Sequence, residues 1–415
     1  MKIIRASSRE FQKLLQRSTR RNIRLEERVR HILEDVQLHG DEALLRYTRR
    51  FDKVRLTSRT LPVSQGEASA AFQAIDPKLL SQLKIMIENV TRFYKRQSTF
   101  IRSWKMRDGD TVFLGNRILP LDSVGVYIPA GQVPLVSTVY MTVIPAQVAG
   151  VRRIAMATPP GPDGRIDPHI LVVANLLKVQ EIYKMGGAQA VAALAYGTKA
   201  VQRVDKIVGP GNDYVTEAKR QLFGRVAIDM TAGPSELVVV ANQFSNPVYV
   251  ASDLTAQAEH AGSLVILVTS SRRLARSVKK QPIRGYIVLV KNTEEAIEVA
   301  NQIAPEHMEI LVKEPNRWLK RVRHAGAIFL GPYSPVAVGD YYAGPSHVLP
   351  TRGSARFFSG LSVLDFVRSS SVISFSRKAL EKALAPIEEI TKLERLKKHF
   401  ESVKVRFDQT TGSPS

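Results

Sequence analysis

The 415-residue chain contains no cysteine. This absence excludes disulfide bonds, thiolate metal sites and cysteine nucleophiles, so any bound metal ion must be held by nitrogen and oxygen ligands. The chain also lacks an apolar run near the ~18 residues that a membrane span requires. Its start, MKIIRASSREF, has no apolar segment of the secretory kind. We therefore expect a cytoplasmic protein.

Acidic residues are few: 38 Asp and Glu stand against 60 Lys and Arg, which gives a formal net charge of +22. Such a charge is typical of proteins that bind polyanions. The basic residues are nevertheless scattered, and no aromatic-laced basic motif accompanies them. We interpret them as solvated helix faces and predict no specific nucleic-acid partner. Near the two ends they are Arg17, Arg20, Arg21, Arg24, Arg28, Arg30, Lys392, Arg395, Lys397 and Lys398.

The hydrophobic pattern divides the chain into three stretches. Residues 1–105 have apolar residues at helical spacing and predict a helical arm or cap. From about 119 to 330, short apolar runs alternate with helical patterns, which predicts a parallel α/β sheet buried on both faces. The runs are SVGVYI, RRIAMAT, ELVVVA, SLVILVT, YIVLV, MEILV and AIFLG. After about 375 we predict one charged helix, LEKALAPIEEITKLERLKKHFESV, and then a disordered polar tail, TTGSPS.

Several metal-capable side chains lie in polar segments of the second half. Gln257 and His260 are three apart in a segment predicted to be helical, so both project from one face. The alternative is a structural histidine at a helix end. Asp340 and His347 flank a loop rich in Gly, Tyr and Pro, and His399 lies near the end. Together these oxygen and nitrogen groups fit Zn²⁺ or a similar divalent ion.

An adjacent carboxylate and imidazole, Glu306 and His307, follow Pro305 and precede the apolar run MEILV. Pro305 ends a helix, which places both side chains at a boundary between elements. Such a pair can act as two general bases on different protons of a two-step reaction. The alternative is a helix C-terminus with a favourable histidine and a surface glutamate.

Three glycine-containing segments are candidates for cofactor binding. VGPGNDYVTEAK, with Gly209 to Asn212, joins a predicted strand to a helix and could bind an anion at the helix N-terminus. Its spacing is not GxGxxG. The segments GGAQAVAALAYG (186–197) and YIPAGQVPL (127–135) permit either the close approach of a ligand or a tight turn.

In combination, these segments resemble the histidinol dehydrogenase family from about Leu25 to Phe407. The motifs that carry the resemblance occur in the family's order: GDEALLRYTRRFD, VYIPAG, STVYM, IPAQVAGV, TPPGPDG, EIYKMGGAQAVAALAYGT, VDKIVGPGN, GRVAIDMTAGPSE, ASDLTAQAEH, IAPEHMEI and GDYYAGPSHVLPT. The implied fold is α/β, with two related, incomplete Rossmann-like (aldehyde-dehydrogenase-like) three-layer domains and small helical terminal segments. The implied domains are a helical arm (1–105), an NAD-binding domain (106–234), a domain with the zinc and catalytic residues (235–375) and a C-terminal segment reaching the partner subunit (376–415).

The resemblance also implies a role for individual residues. Zinc ligands correspond to Gln257, His260, Asp340 and His399, and general bases to Glu306 and His307. Further substrate contacts correspond to Ser235, His347 and Glu394, and NAD⁺ contacts to Tyr127, Gln189 and Asn212. His347 is then a substrate neighbour, although its residue type alone made it a candidate ligand. Two departures from the family pattern are Ala130, where a glycine is expected, and Ser346, where an asparagine is common.

The implied activity is the oxidation of L-histidinol through L-histidinal to L-histidine, with two NAD⁺ reduced and one Zn²⁺ per subunit. It is the last step of histidine biosynthesis. The implied assembly is a homodimer whose two sites each require both chains, without a membrane partner. Two alternatives stay open. One is a related zinc and NAD enzyme for another small alcohol, such as a sulfonated diol, and the other is a polyanion-binding protein on a retired enzyme scaffold.

Overall fold

The computed structural model describes residues 1–17, 22–108, 112–130 and 133–408. Arg20, Arg21, Gly131 and the tail TTGSPS therefore lie outside the described residues. The chain forms two compact units, one of residues 1–98 and 120–366 and the other of residues 99–119 and 367–415. Within the described ranges, no helix is both long and apolar enough to cross a membrane.

Strands and helices alternate along most of the described chain, which includes both units. The strands are β1 (Lys2–Arg5), β2 (Trp104–Asp108), β3 (Val112–Pro120), β4 (Ser123–Tyr127), β5 (Arg153–Thr158), β6 (Glu181–Lys184), β7 (Lys206–Val208), β8 (Ala227–Ile228), β9 (Glu236–Ala241), β10 (Leu264–Thr269), β11 (Tyr286–Leu289), β12 (His307–Leu311), β13 (Ala327–Leu330) and β14 (Val367–Phe375).

The helices are α1 (Arg9–Leu15), α2 (Ile23–His39), α3 (Asp41–Phe51), α4 (Gln65–Ala71), α5 (Pro77–Ser98), α6 (Val136–Ala149), α7 (Pro168–Leu176), α8 (Gly187–Tyr196), α9 (Asp213–Leu222), α10 (Pro247–Ala258), α11 (Arg272–Lys279), α12 (Thr293–Ile303), α13 (Asn316–Leu319), α14 (Val336–Tyr341), α15 (Arg377–Leu393) and α16 (Lys397–Asp408). Two 3₁₀ helices cover Ser354–Arg356 and Val363–Phe366.

A five-stranded parallel sheet, in the order β6-β5-β4-β7-β8, occupies the middle of the first unit. Its strands are short and apolar, and helices cross over between them as parallel pairing requires. The core on one side combines α8 with apolar residues of α2 and α3. The packed helical arm therefore covers this sheet. Tyr127 is the last residue of β4, and Gln189 and Asn212 follow the carboxyl ends of β6 and β7.

A six-stranded parallel sheet, in the order β1-β11-β10-β9-β12-β13, is the second sheet of the first unit. All six residues of β9 and all five of β12 are buried, as expected for central strands covered on both faces. Alternate residues of β12 face opposite cores, because successive side chains point to opposite faces. Met308 and Ile310 join one core and Leu311 the other, so His307 and Glu309 share the face of Leu311.

The second unit combines a three-stranded sheet, in the order β14-β3-β2, with helices α15 and α16. Strands β2 and β3 pair in an antiparallel register. Eight of the nine residues of β14 are exposed, and α16 has no buried residue. This unit therefore presents much of its apolar surface to solvent in the single chain.

The α/β fold class with two Rossmann-like parallel sheets is confirmed, and every apolar run predicted as a strand forms one. Three local predictions were wrong. The first residues are a strand, β1, as well as helices; the helix with Gln257 ends at Ala258, so His260 lies in the following turn; and the predicted C-terminal helix is two helices. Arg395, with φ 57°, lies between those two helices, and this conformation breaks a right-handed helix.

Candidate active site

The turn between α12 and β12 positions Glu306 and His307. Helix α12 ends with Ala304 in the left-handed conformation (φ 50°), and Pro305 cannot continue the helix. Glu306 then precedes β12, and His307 is its first residue. Both side chains are buried, with 6% and 3% of their surface exposed. The predicted boundary position is thus confirmed, but a surface glutamate is excluded.

The main chain of Glu236 holds both side chains. Its N–H donates to Glu306 Oε2 at 2.8 Å, and its carbonyl oxygen lies 3.0 Å from His307 Nδ1. A carbonyl oxygen can only accept, so Nδ1 carries a proton and the neutral imidazole keeps its lone pair on Nε2. That Nε2 atom is buried and has no hydrogen-bond partner. It is consequently available as the basic atom of His307.

Burial and neighbouring charges shift the pKa values of both groups. Burial raises the pKa of Glu306 to about 7, in spite of the opposing charge of His307. Burial alone would favour neutral His307, but the carboxylates of Glu306 and Asp340 outweigh it and raise the imidazole pKa to about 9. The closest approach of Asp340 to His307 Nε2 is 3.6 Å, which is too long for a good hydrogen bond.

His347 lies beside Asp340 and is held as a neutral imidazole. Its Nδ1 is 3.0 Å from the Asp340 carbonyl oxygen, so Nδ1 is the protonated nitrogen. Its Nε2 is 3.3 Å from Thr138 Oγ1. Burial lowers the pKa of His347 below its ordinary value. The charges of Asp340, His307 and His260 also act on the pKa of His347.

His307, Asp340 and His347 line one cavity of about 520 Å³ in the first unit. Apolar side chains, including Phe93 and Phe329, form much of the remaining wall. The Phe329 ring lies 5.9 Å from the His307 ring. This volume is in the range of small-molecule sites, and a few polar groups in an apolar wall are typical of them.

Gln257 lies in the last turn of α10, and His260 lies just beyond the end of that helix. Gln257 is buried with its Nε2 atom unpartnered, and His260 is exposed in the next turn. Within the described part of the chain, no three His, Cys, Asp or Glu side chains gather in a cluster able to hold a metal ion. The predicted ligand set contains a glutamine, and its fourth member, His399, lies in the second unit. Glu394 and His399 are exposed there, at the end of α15 and in α16.

The predicted cofactor residues lie at or soon after the carboxyl ends of strands of the five-stranded sheet. The Tyr127 hydroxyl accepts from the Gly187 N–H at 3.0 Å. Gln189 is buried, and neither atom of its amide group has a partner. Asn212 caps α9 by accepting from two backbone N–H groups. Gly209 has φ 114°, and a Cβ there would lie 2.2 Å from the Tyr127 carbonyl oxygen, so this loop requires glycine.

Three polar residues of the first unit have no role predicted from the sequence: Arg17, Glu236 and Glu309. The sequence predicts Arg17 as a solvated basic residue, but its side chain is only 14% exposed and pairs with Glu236. Glu236 and Glu309 are ionisable residues inside the apolar runs ELVVVA and MEILV. That pattern is a usable signal, since a charged residue in a fully buried strand requires a partner or a function.

The family model for histidinol dehydrogenase matches residues 15–407 of the chain. Curated histidinol dehydrogenases are similar over most of their length. The protein of Halalkalibacterium halodurans is 48% identical, covering 92% of this chain and 93% of its own, and that of Bacillus subtilis is 46% identical, covering 91% and 92%. The chain belongs to the histidinol dehydrogenase family.

A solved structure of a family member supports the same conclusion. The histidinol dehydrogenase of Elizabethkingia anophelis superposes with a TM-score of 0.91 at 34% identity, and the match covers 98% of each chain. Family membership makes the chain an oxidoreductase and supports a place in histidine biosynthesis. The alternative of an enzyme for another small alcohol gains no support from these relatives.

Proposed function

We propose that the chain oxidises L-histidinol through L-histidinal to L-histidine and reduces two NAD⁺ in each cycle. The observation that carries this proposal is the pair Glu306 and His307, buried side by side and oriented by one backbone segment. Two oxidations at one carbon need two different proton transfers. His307 lines a cavity of small-molecule size and has an unpartnered Nε2, and the adjacent buried carboxylate of Glu306 supplies the second base.

His307 takes the alcohol proton at Nε2 while hydride leaves the carbon, and the aldehyde results. The unpartnered Nε2 supports this role, and the fixed proton on Nδ1 keeps the ring in the required tautomer. The base role needs the neutral imidazole, although the neighbouring carboxylates favour its protonated form. A cation bound at Asp340 would offset the charge of one of the two carboxylates that raise the pKa of His307.

Glu306 takes a proton from the water that adds to the aldehyde. Its Oε2 is held by the Glu236 N–H, which leaves Oε1 for the water. With its pKa raised to about 7, Glu306 is a stronger base than an ordinary carboxylate yet ionised in a large fraction of molecules at neutral pH. His307 then takes the hydroxyl proton of the hydrated aldehyde as the second hydride leaves.

The proposed zinc ligands are Gln257, His260, Asp340 and His399, with one ion per subunit. Their oxygen and nitrogen donors suit Zn²⁺, and the chain offers no thiolate that would compete. Gln257 is buried near the end of α10, and its amide oxygen is the atom that would bind the ion, because the amide nitrogen is a donor only. When bound, zinc would hold the substrate's amino and imidazole nitrogens and so align its alcohol with His307.

The remaining substrate and cofactor contacts are proposed on both sheets. Ser235, at the start of β9, and His347 would contact the substrate, and the Glu394 carboxylate suits a cationic amine. Tyr127, Gln189 and Asn212 would contact NAD⁺, which accepts the hydride when bound. The unsatisfied Gln189 amide supports that assignment, as does the position of all three at carboxyl ends of parallel strands. In this division of labour, residues 106–234 bind NAD⁺, and 235–375 provide zinc binding and catalysis.

We further propose a homodimer in the cytoplasm, in which segment 376–415 of each copy completes the site of the other. The second unit exposes apolar side chains that a partner could cover. Ile373 and Leu393 are 69% and 80% exposed, whereas the core of the first unit is well buried. Two predicted site residues, Glu394 and His399, belong to this same unit. A specific nucleic-acid partner is not part of the proposal.

The proposal is tested by measuring NADH and histidine together after L-histidinol is added to zinc-loaded protein. We expect about two NADH per histidine, and loss of both products on chelation. Glu306→Gln should slow the aldehyde step by about 10²-fold or more, so that less histidine forms per NADH. Glu298→Gln, which changes a partly exposed glutamate on α12 that pairs with Arg323, is the matched control. No oxidation of histidinol by the zinc-loaded protein would refute the proposal.

A further inference from the structure

Arg17, just after α1, makes a buried two-pronged ion pair with Glu236. Its Nε and Nη2 atoms lie 2.6 and 2.9 Å from the two carboxylate oxygens. The Arg17 side chain is 14% exposed and that of Glu236 is 3% exposed. Nη2 also donates to the Ile303 carbonyl at 2.8 Å. Paired geometry of this kind is among the strongest and most directional that side chains form.

The two elements that Arg17 joins are the strand that orients the candidate bases and the helix that precedes them. Glu236 begins β9, and its N–H and carbonyl orient Glu306 and His307. Ile303 ends α12, three residues before Glu306. One side chain thus fixes both the residue that holds the bases and the turn from which they project.

We propose that Arg17 is a positioning residue for the two-step oxidation, acting through Glu236 on the orientation of Glu306 and His307. The inference rests on the proposed function of those two bases. Without Arg17, a buried carboxylate at Glu236 loses its counter-charge, and the start of β9 is no longer tied to the end of α12. The bases then lose their fixed geometry, to which catalytic rates are very sensitive.

The chain provides a matched control in a second arginine of the same kind. Arg153 binds both oxygens of Glu181 at 2.8 Å, and it also donates to the Arg203 and Gln202 carbonyls. Its side chain is 18% exposed, close to the value for Arg17. This pair belongs to the five-stranded sheet, where β5 and β6 begin, and it contacts neither candidate base. Loss of Arg153 should therefore destabilise the fold without changing the chemistry.

The experiment compares Arg17→Met, Arg17→Lys, Glu236→Gln and the double variant Arg17→Met/Glu236→Gln with Arg153→Met. We expect Arg17→Met to lower kcat for histidinol by about 10²-fold, with little change in KM for NAD⁺. Arg17→Lys, which can make only one of the two bonds, should lose less. The double variant should recover part of the activity, because the buried charge is removed together with its partner.

A pH profile separates positioning from a merely structural role. Glu306 faces His307, Glu236 and Asp340, and Arg17 lies behind Glu236. An uncompensated Glu236 carboxylate should move the acidic limb of kcat to higher pH in Arg17→Met. The limb should return toward the wild-type position in the double variant. Arg153→Met should lower Tm and leave the limb unchanged.

A second measurement does not depend on activity. In protein with ¹⁵N-labelled histidine, the His307 signals, assigned with His307→Gln, report whether Nδ1 keeps its proton and hydrogen bond. We expect that signature in wild type and in Arg153→Met, and its loss in Arg17→Met. If Arg17→Met kept this signature, the wild-type kcat and the wild-type pH profile while losing only stability, the inference would be overturned. A wild-type protein inactive on histidinol would refute the proposed function alone.

Discussion

The two compact units of the chain differ in what they bury. In the first unit, the central strands β9 and β12 are wholly buried, and polar groups such as His307 and Gln257 lie inside without complete hydrogen bonding. In the second unit, apolar residues face solvent, with Leu393 80% exposed. The first unit can therefore support costly buried polar groups, whereas the second presents a surface that is suited to association.

The largest predicted effect tests whether the second unit of one copy completes the active site in the first unit of the other copy. Glu306→Gln and His399→Asn should each lower histidine formation by about 10²-fold or more, since one removes a base and the other a proposed ligand. Dissociated and reassociated together in equal amounts, they should recover about a quarter of the wild-type activity. Half of the dimers are then mixed, and each mixed dimer has one intact site.

The control for this prediction is each variant reassociated with itself, which should remain inactive. If the site were built from a single chain, each mixed dimer would carry one defect in each of its two sites. The mixture would then be as inactive as its components. That outcome would show that His399 acts within its own chain, and it would remove the proposed reason for the exposed surface of the second unit.

The pH dependence of the aldehyde step tests whether burial in the first unit raises the pKa of Glu306. Because burial raises the pKa of Glu306 to about 7, the ionised base increases about tenfold between pH 6 and pH 8. We expect the rate of histidine formation from L-histidinal to rise by at least this factor, because the second hydride step also needs the neutral form of His307, whose pKa is about 9. Glu306→Asp, measured in parallel, should displace this rise. A rate that is flat from pH 5.5 to 8 would mean that Glu306 has an ordinary pKa or no role as base.

A smaller effect is expected when the apolar surface of the second unit is made polar. Leu393→Ser should weaken the dimer by about tenfold, because burial of a leucine side chain contributes about 1.5–3 kcal/mol. Sedimentation across a dilution series measures the change. Leu38→Ser is the matched control, since Leu38 is 77% exposed but lies on α2 of the first unit. Equal effects of both substitutions would contradict the proposal that the dimer depends on the apolar surface of the second unit.

Much of the first unit could be predicted from the sequence because its signals are local. The runs ELVVVA and MEILV predict buried strands, and Pro305 predicts the boundary that presents Glu306 and His307. Strand β1 could not be predicted in this way. Only two of its four residues are apolar, and it is stabilised by pairing with β11, more than 280 positions away.

The residues that support the candidate site could not be predicted for the same reason, because their contacts join distant positions in the chain. Arg17 has the surroundings of any basic residue near a helix end, and its partner Glu236 is 219 positions distant. The main-chain bonds from Glu236 leave no side-chain pattern, because any residue type has the same N–H and carbonyl groups. The break before α16 was missed because Arg395 takes a left-handed conformation that its residue type does not favour. The roles of Glu394 and His399 stay predictions.

The smallest predicted effect concerns Glu309, the most deeply buried acid of the first unit. It is 0% exposed in β12, its Oε1 accepts from the Val336 N–H at 3.0 Å, and its Oε2 has no partner. Burial, with the nearby Asp253 carboxylate, raises its pKa to about 8. A raised folded-state pKa means that the folded chain holds this proton more tightly than the unfolded chain. The resulting stability is complete below about pH 4.5 and is lost as pH rises through 8.

Glu309→Gln keeps the shape and the acceptor for Val336 but cannot ionise. We expect the free energy of unfolding of zinc-free protein to be near the wild-type value at pH 5.5. At pH 9 the variant should be more stable than wild type by on the order of 1 kcal/mol. Urea denaturation at the two pH values measures this, and Glu401→Gln, in the exposed helix α16, should show no such gain. A wild-type protein whose stability fell no faster than that of Glu309→Gln above pH 7 would mean that Glu309 is ionised in the folded state, and that the first unit tolerates a buried charge at no measurable cost.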